Sequence, residues 1–166
     1  MLALLLAVVI DSKPCGVRFQ LPAGWTTELQ TSAPSHQCAL AVRPKEWEGA
    51  PPLTLTVFKA RTTFDQALAD VGIKPNEDGL RGMAGADDAW SEAESWQEGR
   101  YVGLAVDEYV RGTFEDGRVY SGSINHIVLK TPVRRVIAFT CSGQGSDEPL
   151  DCDPTVRDVL RTLVIR

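Results

Sequence analysis

No stretch of this 166-residue chain stays apolar for the roughly 20 residues that a helix needs to cross a bilayer. The opening run MLALLLAVVI has only the size of the apolar part of an export signal. Excess positive charge is missing too: 17 Lys and Arg against 22 Asp and Glu leave a net charge of −5 and a pI near 5.0. A nucleic-acid surface gathers Lys and Arg on one face, and the one local basic pair of note, Arg134 and Arg135, reads as a solvated turn. Nucleic acid is therefore not expected as a partner. Histidine is scarce, with only His36 and His126, and the four cysteines never fall at zinc-site spacing. No metal and no cofactor is expected. A G-x-S-x-G elbow is also lacking: Ser121 and Ser123 flank Gly122 within a strand, and the odd spacing from Ser123 to His126 puts them on opposite faces. In CSGQGSDEPLDCD, Gly143 and Gly145 give only G-x-G, and Asp147, Glu148 and Asp151 would repel a pyrophosphate. That stretch reads as a disulfide-closed loop. The chain has no internal repeat and no low-complexity tract.

What remains is an ordinary globular composition, 43% hydrophobic and 23% charged, suited to one domain over residues 15–166. Residues 1–14 are expected to be a leader shortened at its start, because neither a basic residue before the apolar run nor a small-x-small cleavage site after it is present. Lys13 and Pro14 ahead of Cys15 do not make a lipid-attachment site. The competing reading is a buried N-terminal strand. Cys15, Cys38, Cys141 and Cys152 suit an oxidising compartment, and four cysteines allow three connectivities. The two pairings that close local loops, Cys15 with Cys38 and Cys141 with Cys152, are the expected ones, each stabilising by roughly 3 kcal/mol. The expected location is the periplasm or the outside of a bacterial cell.

Hydrophobic periodicity sets the rest. Val17, Phe19 and Leu21 alternate with Arg18 and Gln20 as in a half-buried strand, ended by Pro22 and Gly24. Trp25 to Gln30 continues extended, and the near-continuous apolar run from Cys38 to Pro44 suits a strand buried on both faces. Leu53, Leu55 and Val57 alternate with Thr54, Thr56 and Phe58. Thr63 and Gln66 make a capping box for a helix whose stripe is Phe64, Ala67, Leu68 and Val71, stopped by Gly72. Residues 73 to 87 read as a surface loop. Four further strands, 89–97, 101–114, 119–129 and 135–141, are separated by turns and so run antiparallel. Asp153 is expected to cap a last helix with Pro154 at its first position and Val156, Val159, Leu160 and Leu163 on one stripe. About seven strands and two main helices, with the helices following groups of strands, predict an α+β fold around an antiparallel meander.

The segment DDAWSEAESWQE interleaves Trp90 and Trp96 with five carboxylates and no Lys or Arg. At strand spacing Trp90, Glu92, Glu94 and Trp96 share a face, a candidate docking surface for a protein with a basic surface. The bland alternative is that the tryptophans cover the sheet beneath a helix. His126 reads as a structural histidine and His36 as solvated.

FQLPAGW, the helix TFDQALADVG after a β unit, the long meander and the final DVLRTLVI resemble the PsbP-like family, whose fold is shared with the Ran-binding Mog proteins. The resemblance implies an α/β/α sandwich and, in bacteria, exported or lipid-anchored members; the four cysteines depart from it. The expected function is that of a non-catalytic exported protein-binding domain, either an envelope accessory or an immunity-type partner protein. The alternatives are a hydrolase-type enzyme using His126 and sheet carboxylates, and a small-ligand carrier with a cavity between the sheet and residues 73–87.

Overall fold

The computed structural model describes residues 7–48, 51–85, 89–113, 115–144 and 152–166, with the backbone alone at 110, 120, 143 and 144. Period-two alternation builds most of it. β1 (Val8–Ser12) pairs antiparallel with β2 (Val17–Leu21), whose Val17, Phe19 and Leu21 are buried while Arg18 and Gln20 are exposed. Pro22 and Gly24, at φ +85°, then turn the chain into β3 (Trp25–Gln30). β4 (His36–Pro44) and β5 (Leu53–Phe58) follow, and then α1 (Phe64–Asp70). The Thr63 hydroxyl accepts from the Gln66 amide and the Gln66 side chain accepts from the Thr63 amide, the reciprocal cap foreseen for this helix.

Next come β6 (Lys74–Pro75), β7 (Arg81–Ala84), β8 (Trp90–Glu92), β9 (Glu94–Glu98), β10 (Tyr101–Thr113), β11 (Val119–Lys130) and β12 (Val136–Gln144). The chain closes with α2 (Asp153–Thr162) and β13 (Val164–Ile165). The main sheet has seven strands in the order β3-β4-β5-β12-β11-β10-β9, all antiparallel.

Each face of that sheet needs a cover, because strands at its centre bury side chains on both sides. One face packs Leu55, Val57, Ile127, Leu129, Ile137 and Phe139 against Val156, Val159 and Leu160 of α2 and against Phe19 and Leu21 of β2. The three-stranded sheet β1-β2-β13 completes this layer. The opposite face packs Phe58, Val106, Val128, Val136 and Ala138 against Ala67 and Leu68 of α1, with Ile73 just ahead of β6 and Met83 from the small sheet β6-β7-β8. The fold is an α+β sandwich with a helix on each side of an antiparallel sheet.

Several expectations change. Residues 73–84 are not loop: Ile73 is fully buried, and β6 and β7 form a hairpin whose turn is held by the Leu80 amide donating to the Asn76 side chain. Its strands are too short to show a period. Residues 86 and 87 of the expected loop lie outside the described residues, as does Asp88. The strand expected over 89–97 divides at Ala93, whose amide donates to the Arg81 carbonyl, so β8 joins the small sheet and β9 the main one. Asp153 is not the N-cap of α2. Cys152 holds that position without a side-chain cap bond, its place dictated by the bond to Cys141, and the Asp153 carboxylate turns to other partners. Arg135 is no solvated turn residue, since it donates to the Phe58 carbonyl at 2.7 Å; Arg134, at φ +58°, does occupy the turn. Within the stretch read as a leader, Val8–Ser12 pairs along β2, and Asp11 takes a bidentate ion pair from Arg166.

Cys15 is bonded to Cys38 and Cys141 to Cys152, with Cα separations of 5.2 and 6.2 Å. Gly143 and Gly145–Asp151, the G-x-G stretch, are outside the described residues except for backbone at 143. The intact, non-reduced protein should show no alkylatable thiol, and peptide mapping should return the two pairs as they stand. Replacing Cys141 and Cys152 together by serine should lower unfolding stability by about 2–5 kcal/mol in a denaturant titration.

Candidate functional site

Trp96, on β9, lies directly opposite Gly103 on β10 and packs half-buried on the core beneath α2. Its indole Nε1 donates to Asp153 Oδ1 at 2.8 Å, and the Arg157 guanidinium stacks over its ring at 4.5 Å. One helical turn separates Asp153 from Arg157, so both reach the same strand. Arg157 also donates to Asp153 Oδ2 at 2.6 Å, to the Gln97 carbonyl and to Glu98 Oε2. Arg161 reaches the other oxygen of Glu98 and also pairs with Asp158. The hydrogen bond from Arg157 holds the Glu98 carboxyl below its ordinary range. An aromatic and acidic strand has thus met a basic partner within its own chain, the arginines of α2.

The four residues expected on one face are divided accordingly. Trp96 and Glu94 lie on β9 at the edge of the main sheet, with Glu94 opposite Ala105. Trp90 and Glu92 lie on β8 in the small sheet, with Trp90 opposite Ala84 of β7 and its Nε1 buried without a hydrogen-bond partner among the described residues. Gly82 makes this possible, because a side chain there would run into the Ser91 carbonyl and the Trp90 ring. Glu92 and Glu94, flanking the bend at Ala93, are exposed, and among the described residues neither carboxylate has an ion-pair partner.

His126 sits on β11 between Val106 and Thr140, buried, with its Nδ1 3.0 Å from the Thr140 hydroxyl. Burial pushes its pKa down to about 4. The ring is neutral at neutral pH, and its side-chain hydrogen-bond partner is the Thr140 hydroxyl. His36, expected to be solvated, is instead locked. Its Nδ1 accepts from the Ala33 amide, which leaves Nε2 to donate to Asp70 at the end of α1, and its ring meets Phe58 edge to face at 5.0 Å. That bridge spans 34 residues, so no local motif announces it. Asp107, among the sheet carboxylates, accepts from Asn125 directly opposite at 2.7 Å. Asp116 binds Arg118 within its own turn.

A cleft of about 250 Å³ opens beside Trp25, Trp47, Pro44, Pro52, Leu53 and Cys152. A second, of about 470 Å³, lies between β1 and β3 along Ile10, Thr27 and Leu29. Neither touches His126 or residues 73–84. Among the described residues no group of three or more His, Cys, Asp or Glu is placed to hold a metal ion, and no helix is long and apolar enough to cross a membrane.

No protein-family model matches the sequence, and no curated protein matches it. Among solved structures the chain is similar to the Ran-binding protein Mog1p of Saccharomyces cerevisiae, at 10% identity over 97% of this chain and 96% of that one, with a TM-score of 0.45. It is also similar to cyanobacterial PsbP (CyanoP) from Synechocystis sp. PCC 6803, at 16% identity over 99% of this chain and 95% of that one, with a TM-score of 0.39. These are the two kinds of protein whose fold the sequence resembles.

Two measurements test this site. Trp96→Ala should destabilise the protein by about 2 kcal/mol, less than for a fully buried tryptophan, and the loss should appear in urea unfolding. His126 binds its proton less readily in the folded than in the unfolded chain. Its contribution is therefore complete above pH 6.5 and is lost as the pH falls towards about 4. A melting series across that window should fall more steeply for the wild type than for His126→Gln, which keeps a partner for Thr140 and cannot titrate.

Proposed function

We propose that this chain is a non-catalytic, exported protein-binding domain, an envelope accessory or immunity-type partner protein. Its partner presents a basic surface to the strip that runs from Trp90 through Glu92 and Glu94 to Trp96. One observation carries the reading: Glu92 and Glu94 stand exposed to either side of Ala93, with no ion-pair partner among the described residues. The acidic groups beside them, Glu98, Asp153 and Asp158, are already neutralised by Arg157 and Arg161. The uncompensated charge therefore concentrates at two carboxylates, next to aromatic surface fixed by the sheet on each side.

The state of the two histidines supports a non-catalytic role, since one imidazole is buried and neutral and the other is engaged at both nitrogens. Two intrachain disulfides support an oxidising compartment. In this proposal residues 1–14 belong to an export leader, with Val8–Ser12 pairing to β2 wherever the leader is retained.

The test compares the wild-type chain with Glu92→Lys/Glu94→Lys, both immobilised and challenged with the same periplasmic extract. A basic protein should be retained by the wild type, released by salt and lost from the double variant, whose melting temperature should be unchanged. Identical retention on both surfaces would sink the proposal.

A further inference from the structure

β10 outlasts the strand beside it. Its pairing with β9 ends at Ala105 opposite Glu94, whereas it runs on against β11 as far as Thr113 opposite Val119. Among the described residues no strand pairs with Val106–Thr113 on the side away from β11. Every second residue there directs its backbone N–H and C=O outward without a ladder partner, the arrangement on which another extended chain adds. Asp107, Tyr109 and Arg111 share one face of this stretch and are all exposed, Tyr109 by 53%.

The charges on this face, Asp107 and Arg111, are of opposite sign and stand two residues to either side of the tyrosine, while Glu108 belongs to the other face. An edge guarded by charges of one sign, as lysine-bearing edges are, repels a copy of itself. This pattern does the reverse.

We infer that the β10 edge pairs antiparallel with the same edge of a second copy of this chain, across a two-fold axis at Tyr109, joining two seven-stranded sheets. A two-fold axis normal to the sheet keeps each face on its own side, so it must pass at a residue and not between two. Centred on Tyr109, it sets Asp107 of each copy opposite Arg111 of the other. Centred on Glu108 it would set Asp107 against Tyr109, and centred on Val110 it would set Asp107 against Thr113. Tyr109 is thus the centre that satisfies both charges. Asn125 donates to Asp107 Oδ1 at 2.7 Å and fixes that carboxylate on its face. Arg111 has no carboxylate partner among the described residues. The contact uses the same patch on both copies, so it closes at two and does not propagate. The pairing runs from Val106 to Gly112 of each copy, stopping where Glu94 already lies opposite Ala105; it adjoins the Glu92 and Glu94 strip but does not rest on it.

Sedimentation velocity of the full oxidised chain over a rising concentration series should show a monomer–dimer equilibrium. Asp107→Arg alone, or Arg111→Asp alone, sets like charges opposite each other at both ends of the contact and should weaken association by about 10-fold or more. Mixing the two variants should restore it, because every opposed pair is again of opposite sign. Circular dichroism melts matching the wild type would show that each variant is folded. A wild type that stays monomeric throughout, single variants that associate as well as the wild type, or a mixture that fails to recover would each overturn the inference.

Discussion

The fold depends on the position of β12. Held between β5 and β11, it is buried along both faces, with Ile137, Phe139 and Cys141 turned to one side and Val136 and Ala138 to the other. A strand buried on both faces cannot be stable in a sheet covered once, so two separate layers have to close over it. One layer is α2 with β1, β2 and β13; the other is α1 with β6, β7 and β8. The strip from Trp90 to Trp96 lies at the sheet's β9 edge. The chain passes from the small sheet to the main one at Ala93, and this bend is what exposes Glu92 and Glu94.

Local chemistry made much of this legible. Thr63 and Gln66 specify a helix start within four residues, and the alternation of Val17, Phe19 and Leu21 specifies a buried face without reference to anything distant. The cysteine pairs close short loops, so proximity in sequence was a fair guide to their partners. The two runs of sequential antiparallel strands, β3-β4-β5 and β9-β10-β11-β12, follow from their connections, whereas the β5–β12 pairing that joins them does not. At Ala93, His36 and Arg135 the expectation failed because the deciding contact was remote. Alternation runs on through Ala93 because a bend between two sheets leaves the in-out pattern of the flanking residues intact, and only the Arg81 carbonyl reveals the break. His36 is fixed by Asp70 and Phe58, and Arg135 by Phe58, contacts set by the register of β4 and β5.

The candidate strip shows how composition can be right about chemistry and wrong about geometry. Tryptophan and carboxylates in one run do seek cations, and Trp96 and Glu98 have found Arg157 and Arg161 on α2. These arginines lie about sixty positions away, beyond any window in which a pattern can be read. The remainder is the two glutamates that the helix does not reach. In the proposed role, the docking surface is therefore defined by subtraction, after the chain has satisfied its own charges.

The covalent links are unevenly shared. Cys15–Cys38 ties the start of β2 to the sheet, and Cys141–Cys152 ties the start of α2 to it, so both bonds anchor the same layer. The layer carrying α1 and the small sheet has neither. It is held by Ala67, Leu68, Ile73 and Met83 in the core and by the His36–Asp70 bridge. Local opening then has a direction. Fluctuations that expose the α2 face must stretch a cross-linked loop, whereas α1 can lift away against packing and the His36–Asp70 bridge with no covalent link to strain, which makes its layer the expected low-stability unit of the domain. Backbone amides in α1 and β7 belong to the part of the molecule that breathes, and those of β2 and β12 to the part that stays shut until the whole domain unfolds.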